Sequence, residues 1–170
     1  MLRLRPILDH WRFCALLAAV AMLAIAHGFE RWGGYPPCAL CLRQREVYWV
    51  AAAIGAIGMV LVRRPGGPRL REASCWLLML VFLGGGAIAA YHAGAESRLW
   101  PGPATCSSRP ATVGVEAMNA FLEGGRIRPA SCDQAPWVFA GLSMAGWNAL
   151  ISLGLAALSF AAAGRERTKR

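Results

Sequence analysis

Residues 38–62 read CALCLRQREVYWVAAAIGAIGMVLV, so a Cys-x-x-Cys pair runs almost directly into an apolar segment. The apolar part, residues 47–62, is nearly long enough to cross about 30 Å of hydrocarbon as a helix. Its alanines and glycines would let neighbouring helices approach closely. The stretch therefore predicts a tightly packed membrane helix that carries two cysteines just before its apolar run.

Three further apolar runs predict three more helices. With the first run they give expected spans at residues 13–29, 47–62, 73–93 and 137–163. The chain has 170 residues, of which 56% are hydrophobic and 16% charged, and the charges cluster between the apolar runs. Four spans of about 20 residues leave room for short loops and one longer one. The sequence predicts an all-α, integral membrane four-helix bundle that forms a single domain over residues 1–170, with two external loops.

The basic residues predict the orientation of this bundle. They cluster before the first helix, between the second and third, and after the fourth: Arg3, Arg5 and Arg12; Arg63, Arg64, Arg69 and Arg71; Arg165, Arg167, Lys169 and Arg170. Because all three clusters fall on one side, the positive-inside rule predicts that both termini are cytoplasmic. The formal net charge of +9 belongs largely to these flanks and not to a patch interleaved with aromatics, which argues against nucleic-acid binding.

The pair Cys38 and Cys41 has the spacing of redox-active dithiols, and it falls on the external, oxidising side. A thiolate near a helix N-terminus is stabilised by the unpaired backbone N–H groups. If the second helix begins at about Cys41, Arg45 lies one turn further on the same face and can hold a thiolate or a polarised carbonyl. The alternatives are a rigid structural bridge or half of a zinc site. No metal is expected, because Cys106 and Cys132 lack the close spacing of zinc ribbons.

Cys106 and Cys132 lie in the long external segment, residues 94–136. As a structural staple, a bridge closing about 26 residues would stabilise the fold by roughly 3 to 4 kcal/mol. As an exchangeable bridge in a Pro- and Gly-rich segment beside a redox pair, it would form a relay. Between the two cysteines, residues 114–123 predict a short amphipathic helix that lies on the membrane surface or packs within the loop.

Four other residues have chemistry that the sequence leaves open. His27 and His92 fall near the external ends of the first and third helices, where an ionisable residue is either a site candidate or simply solvated at the interface. Cys14 and Cys75 fall within helices and are interpreted as small apolar residues without a role.

The order of these elements is similar to that of a known family. The chain has PCALCLRQR at residues 37–45, Tyr-His at 91–92, WPGPATC at 100–106, and SCD at 131–133 before Trp137 and the last helix. From the first helix to the fourth, it resembles the DsbB family of disulfide bond formation proteins. The resemblance implies a four-helix protein of the bacterial inner membrane, with its cysteine loops in the periplasm.

The resemblance also implies an activity and a division of roles. The family reoxidises a periplasmic thiol oxidase of the DsbA type and passes the electrons to a membrane quinone, ubiquinone or menaquinone. By motif, the partner would attack Cys106, and Cys132 would be the cysteine paired with it and would then exchange with Cys38. Cys41 would face the quinone, with Arg45 at the family's quinone-site arginine and His92 near the position of a quinone-site histidine.

Two other functions compete with this interpretation. A quinone-linked reductase of the vitamin K epoxide reductase type shares a four-helix core and cysteine pairs. It places its Cys-x-x-Cys late, on the last core helix, whereas the order here is the reverse. A non-catalytic membrane scaffold with two structural bridges would have cysteines that are inert to reductant and to quinone.

Overall fold

A computed structural model describes residues 5–61, 67–103, 122 and 132–169, and within these ranges the regular elements are helices apart from one small hairpin. The elements are α1 (Arg5–Asp9), α2 (Trp11–Arg31), α3 (Ala39–Leu61), α4 (Gly67–Glu96), β1 (Val138–Phe139), β2 (Leu142–Ser143) and α5 (Met144–Thr168). The predicted all-α membrane fold is confirmed. Cys106 and the predicted amphipathic helix at 114–123 lie outside the described residues.

Three of the described helices, α2, α4 and α5, are long and apolar enough to cross a membrane by length and composition. α3 is not among them, although it packs in the same bundle. Its first two turns carry Arg43, Arg45 and Glu46, so its apolar run begins only at Val47. The chain is an integral membrane protein, while the fourth crossing and the extent of the single domain stay predictions.

The bundle core is built largely from small side chains. Ala15 and Ala19 of α2, Ala51 of α3 and Ala162 of α5 are fully buried, and the larger Phe82 of α4 fills the space between them. Small residues let helices approach closely, which is how membrane helices gain dispersion energy without a hydrophobic driving force. The expectation that the small residues of the second predicted helix let its neighbours approach closely therefore holds at Ala51.

The structure begins three helices at places that differ from the sequence prediction, and one of them is α4, which starts at Gly67 instead of residue 73. α3 starts at Ala39 instead of about residue 47, because the polar residues after Cys41 are also helical and Arg43 pairs with Glu46 at 2.9 Å. α5 starts at Met144 instead of residue 137. The intervening apolar residues form the hairpin, whose two-residue turn is Ala140-Gly141.

That turn explains why the fourth helix cannot begin earlier. Ala140 and Gly141 have φ values of 50° and 80°, the left-handed region that two-residue hairpin turns require. Ser143 then caps α5, because its Oγ accepts a hydrogen bond from the backbone N–H of Gly146 at 3.1 Å. The hairpin places Trp137 and Phe139 at the end of the bundle where Cys38 lies.

The opposite end of the bundle is closed by ion pairs. Glu166 of α5 is 4% exposed, and its carboxylate lies 2.9 Å from Arg71 of α4 and 3.9 Å from Arg12 of α2. Asp9 of α1 accepts hydrogen bonds from Arg165 and Lys169 at the end of α5. We call these six residues the ionic cluster. It ties α1, α2, α4 and α5 together.

Candidate active site

The Cys-x-x-Cys pair forms a dithiol at the start of α3. Cys38 precedes the helix and is 4% exposed, while Cys41 is half-buried in its first turn. Both are free, their sulfur atoms lie 2.7 Å apart, and the backbone N–H of Cys41 donates to Cys38 Sγ at 3.2 Å. The early start of α3 is what brings the pair to a helix N-terminus, where a thiolate is stabilised.

The two thiols have opposite tendencies to ionise. Cys41 lies ahead of the apolar run of α3. Its pKa is lowered chiefly because the Cys38 thiol donates a hydrogen bond to the Cys41 sulfur. Arg45 lowers this pKa further, as the smallest contribution. The pKa of Cys38 is raised by the same hydrogen bond and by burial. Of the two thiols, Cys41 is therefore the one that ionises first, with the Cys38 thiol as its hydrogen-bond donor.

A third sulfur lies beside this pair. Cys132 is 1% exposed and disulfide-bonded, and its sulfur, the Cys38 sulfur and a ring nitrogen of His92 all lie within 4.8 Å of one another. The geometry of this trio could hold a metal ion, but Cys132 offers no thiolate while it is disulfide-bonded. The same closeness suits thiol–disulfide exchange between Cys132 and Cys38, which requires direct contact of sulfurs.

His92 is held by a chain of buried polar side chains. Its Nε2 lies 3.6 Å from Cys38 Sγ, and its Nδ1 lies 2.9 Å from Gln44 Nε2. Asn148 Nδ2 donates to Gln44 Oε1 at 2.5 Å, and the Tyr48 hydroxyl donates to Asn148 Oδ1. Ser152 Oγ lies 2.9 Å from the Tyr48 hydroxyl. These contacts join α3, α4 and α5 into one network, which we call the polar chain.

Arg45 lies near Cys41, but its guanidinium is also hydrogen-bonded to two other groups. One guanidinium nitrogen donates to Glu30 Oε2 at 2.5 Å and another to the backbone carbonyl of Ala26 at 3.1 Å. The side chain is 15% exposed, whereas that of Arg43 is 69% exposed and pairs only with its neighbour Glu46 among the described residues. Arg45 therefore anchors the end of α2 to α3 while lining the space beside the dithiol.

That space is a cavity of about 330 Å³ between α2, α3, α5 and the hairpin. Its walls are mostly apolar and aromatic, and its polar lining includes Cys38, Cys41, Arg45, His92 and Glu96. The rings of Phe29, Trp137 and Phe139 pack against one another at the mouth, with centroids 5.3 Å and 5.8 Å apart. An apolar cleft with a few convergent polar groups is typical of a small-molecule site.

Several polar residues of the site were not identified from the sequence. Asn148 stands in an apolar run, so its position in a membrane helix was a signal that could have found it. Glu96, also missed, has its side chain 4% exposed, and its Oε1 lies 3.7 Å from His92 Nε2. His27 instead bonds the carbonyl of Leu23 at 2.8 Å and does not line the cavity. Cys14 and Cys75 pack in or against the bundle core, away from the dithiol.

Comparison with known proteins gives one consistent result. Residues 9–162 match the family model of the disulfide bond formation protein DsbB. Relatives named Disulfide bond formation protein B include one from Azoarcus sp. (strain BH72), 31% identical over 157 residues, covering 86% of each chain. A second, from Methylococcus capsulatus (strain ATCC 33009 / NCIMB 11132 / Bath), is 31% identical over 157 residues, covering 87% of this chain and 91% of the relative. No solved structure matches the chain.

Proposed function

The chain belongs to the disulfide bond formation protein DsbB family, and we propose that it reoxidises a periplasmic thiol oxidase of the DsbA type and passes the electrons to a membrane quinone. The observation that carries this proposal is the meeting of three sulfurs, of which those of Cys38 and Cys41 belong to residues that line an apolar cavity. Cys38 contacts Cys41 on one side and lies within 4.8 Å of the disulfide-bonded Cys132 on the other. Electrons can therefore move between two cysteine pairs without a large rearrangement.

In the first exchange step, the partner reacts with the Cys106–Cys132 disulfide. The thiolate of the reduced partner attacks Cys106, the bond between Cys106 and Cys132 breaks, and Cys132 leaves as a thiolate. Cys132 then attacks Cys38 of an oxidised Cys38–Cys41 pair, so that a Cys38–Cys132 bond forms and Cys41 leaves as a thiolate. The lowered pKa of Cys41 makes it the better leaving group of the pair.

The second exchange step releases the product. The partner's other thiol attacks its mixed disulfide with Cys106, so the oxidised partner departs and Cys106 becomes a thiolate. Cys106 attacks Cys132, the Cys38–Cys132 bond breaks, and Cys38 leaves as a thiolate. The result is a reduced Cys38–Cys41 pair beside a disulfide-bonded Cys132, which is the arrangement that the described residues have.

The residues around the cavity fit a quinone head group. Arg45 offers hydrogen-bond donors on the polar side, where His92 also lines the cavity, and Met22, Ile25 and Phe29 offer an apolar wall. The Oε2 atom of Glu96 is buried without a hydrogen-bond partner among the described residues. The polar wall can therefore form a further hydrogen bond at this atom. A bound quinone supplies a two-electron, two-proton acceptor. When the Cys38–Cys41 disulfide forms, the pair would give up two electrons, starting from the Cys41 thiolate, together with the one proton that it holds, and the second proton would come from water.

Turnover of the purified protein tests this function. With a reduced DsbA-type partner and added ubiquinone or menaquinone, we expect catalytic loss of partner thiols together with quinone reduction. Partner that stays reduced in the presence of either quinone, with cysteines that resist both reductant and quinone, would instead identify a scaffold. The Cys106→Ser variant is the matched control, because it should lose the mixed disulfide with the partner yet keep a Cys38–Cys41 pair that reacts with quinone.

The relay also requires a defined sidedness, and we propose an inner-membrane protein with both termini cytoplasmic and the cysteine loops periplasmic. The arginine clusters support this orientation. Membrane-impermeant thiol labelling after reduction, in vesicles of known sidedness, should modify Cys106 only from the periplasmic face. Labelling of Cys106 from the cytoplasmic face alone would contradict the topology.

A further inference from the structure

The polar chain has a direction, because each of its two amides has an oxygen that only accepts and a nitrogen that only donates. The Tyr48 hydroxyl donates to Asn148 Oδ1, so the other amide atom of Asn148, Nδ2, faces Gln44. Asn148 Nδ2 carries only hydrogens and must donate, which places Gln44 Oε1 opposite it. The Gln44 amide is thereby oriented with its Nε2 towards His92.

The same logic decides where the proton of His92 resides. Gln44 Nε2 is also a pure donor, and it lies 2.9 Å from His92 Nδ1. Nδ1 can accept this hydrogen bond only if it carries a lone pair. A neutral imidazole has one protonated nitrogen, so the proton must be on Nε2. Nε2 faces Cys38 Sγ at 3.6 Å and Glu96 Oε1 at 3.7 Å.

We propose that Gln44, Asn148 and Tyr48 are positioning residues that hold His92 in its Nε2–H tautomer, so that this N–H donates to the sulfur of Cys38. The chain that orients the imidazole spans three helices, with His92 on α4, Gln44 and Tyr48 on α3 and Asn148 on α5, so no single helix could set the tautomer. Burial supports the assignment, since His92, Gln44, Asn148 and Tyr48 are all less than 9% exposed and have no bulk water to satisfy a reversed orientation.

The tautomer has a consequence for the relay, and this consequence rests on the proposed function. Cys38 leaves as a thiolate when Cys132 recovers its disulfide, and an N–H aimed at the departing sulfur stabilises the negative charge. With a lone pair on Nε2 instead, the imidazole would repel that charge. The protonated Nε2 also cannot ligate a metal, so the trio of Cys38, His92 and Cys132 serves exchange and not cation binding.

Nitrogen NMR of the reduced protein tests the tautomer directly, without quinone or partner. The protein has three histidines, and ¹⁵N-histidine labelling with the His92→Gln variant as reference assigns the signals of His92. We expect a protonated Nε2 and an unprotonated Nδ1 in the unmodified protein. Asn148→Leu removes the donor that orients Gln44 and should give a mixture of tautomers or the Nδ1–H form. A pure Nδ1–H form in the unmodified protein, or an unchanged spectrum in folded Asn148→Leu, would overturn the proposal.

Two further variants complete the series. Tyr48→Phe removes only the hydroxyl that orients Asn148, so it should shift the tautomer in the same direction even if Asn148→Leu fails to fold. Ser159→Ala is the matched control, since Ser159 is a buried serine of the same helix whose hydroxyl contacts the Leu155 carbonyl and Trp11 instead of the polar chain. Equal shifts in Tyr48→Phe and Ser159→Ala would mean that loss of any buried hydroxyl from this part of the bundle matters and the direction of the chain does not.

The effect on chemistry is measured separately. A Cys38–Cys132 mixed disulfide, trapped in a Cys41→Ser background, should release Cys38 about tenfold more slowly in Asn148→Leu than with Asn148 present, because a charge-assisted hydrogen bond to the leaving thiolate is lost. An unchanged release rate together with a shifted tautomer would reject the role of the N–H in exchange. If the unmodified protein fails to oxidise any partner, the relay fails, but the tautomer measurement still stands or falls by itself.

Discussion

The two ends of the helical bundle bury polar groups in opposite ways. At the ionic cluster, Glu166 has Arg12, Arg71 and Lys169 within 4.0 Å, so one carboxylate is shared by several cations. At the cysteine end, the polar chain is built from neutral amides, an imidazole and hydroxyls, each with a specific neighbour. Full charges attract from many directions, whereas hydrogen bonds between neutral groups depend on which atom donates.

This difference separates stability from reactivity. A multiply paired carboxylate tolerates small shifts of its partners, but the removal of its charge leaves buried cations without compensation. A directional chain adds modestly to stability, yet it controls the orientation of a single N–H group beside a sulfur. We therefore expect substitutions at the ionic cluster to change folding and substitutions at the cysteine end to change chemistry.

The largest expected effect comes from Cys41 at the cysteine end. Cys41→Ser leaves no thiolate to complete a disulfide with Cys38, so quinone-dependent turnover should fall by about 10³-fold or more while the melting temperature barely moves. Stopped-flow oxidation of a reduced partner measures this loss. Cys14→Ser, a half-buried cysteine packed against the core, should retain full turnover. Normal turnover in Cys41→Ser would contradict the assignment of the chemistry to the cysteine end.

The second-largest effect is expected at the ionic cluster, where stability should fall and turnover should not. Glu166→Gln keeps the shape of the side chain but leaves Arg12 and Arg71 without a buried counter-charge, and should lower the free energy of unfolding by about 3 kcal/mol. Turnover per folded molecule should stay unchanged. Denaturant unfolding in detergent, with activity measured on the same preparation, checks both parts. A loss of turnover without a loss of stability would show that the two ends are coupled.

A smaller effect is expected at Arg45, which both pairs with Glu30 and lines the cavity. Arg45→Ala should raise the apparent quinone requirement about tenfold, because the cavity loses its cationic donor. Arg45→Lys should recover only part of this. The Lys ammonium is a point charge, and it lacks the planar guanidinium that donates to the Glu30 carboxylate and the Ala26 carbonyl at the same time. Arg43→Ala, at an exposed neighbouring position, is the control. A larger effect at Arg43 than at Arg45 would move the quinone site away from the start of α3.

The smallest effect is expected at the rim of the ionic cluster. The pKa of Asp9 is lowered, chiefly by the hydrogen bond from Lys169, so the carboxylate stays charged at neutral pH. Because Asp9 is exposed to solvent screening, Asp9→Asn should hardly change the melting temperature, in contrast to Glu166→Gln. Differential scanning calorimetry of the two variants side by side makes this comparison. An equal loss in both would mean that burial does not distinguish the centre of the cluster from its rim.

The sequence predicted the parts of the molecule that depend on local pattern. The apolar runs identified the helices, and the spacing of Cys38 and Cys41 identified the dithiol. The polar chain could not be predicted in this way, because Gln44 and Asn148 are 104 positions apart and meet only when α3 packs beside α5. The pairing of Arg45 with Glu30 likewise depends on how α2 ends against α3.

The error at the fourth helix has a different cause. Residues 137–143 are mostly apolar, so hydropathy alone extends the helix through them. The turn residues Ala140 and Gly141 were a weak signal, because alanine seldom adopts a positive φ and does not mark a turn by itself. Packing of Trp137 and Phe139 against each other, which hydropathy does not record, accompanies the hairpin.

The hairpin makes the mouth of the cavity a separable module. Its shape is set by its own turn and strand register, with Val138 paired to Ser143 and Phe139 to Leu142, and α5 begins only after it. Substitutions at the exposed residues Val138 and Phe139 can thus reshape this part of the cavity while Ser143 still caps α5. Natural variation could in this way tune which molecules enter the bundle without disturbing the cysteines that react inside it.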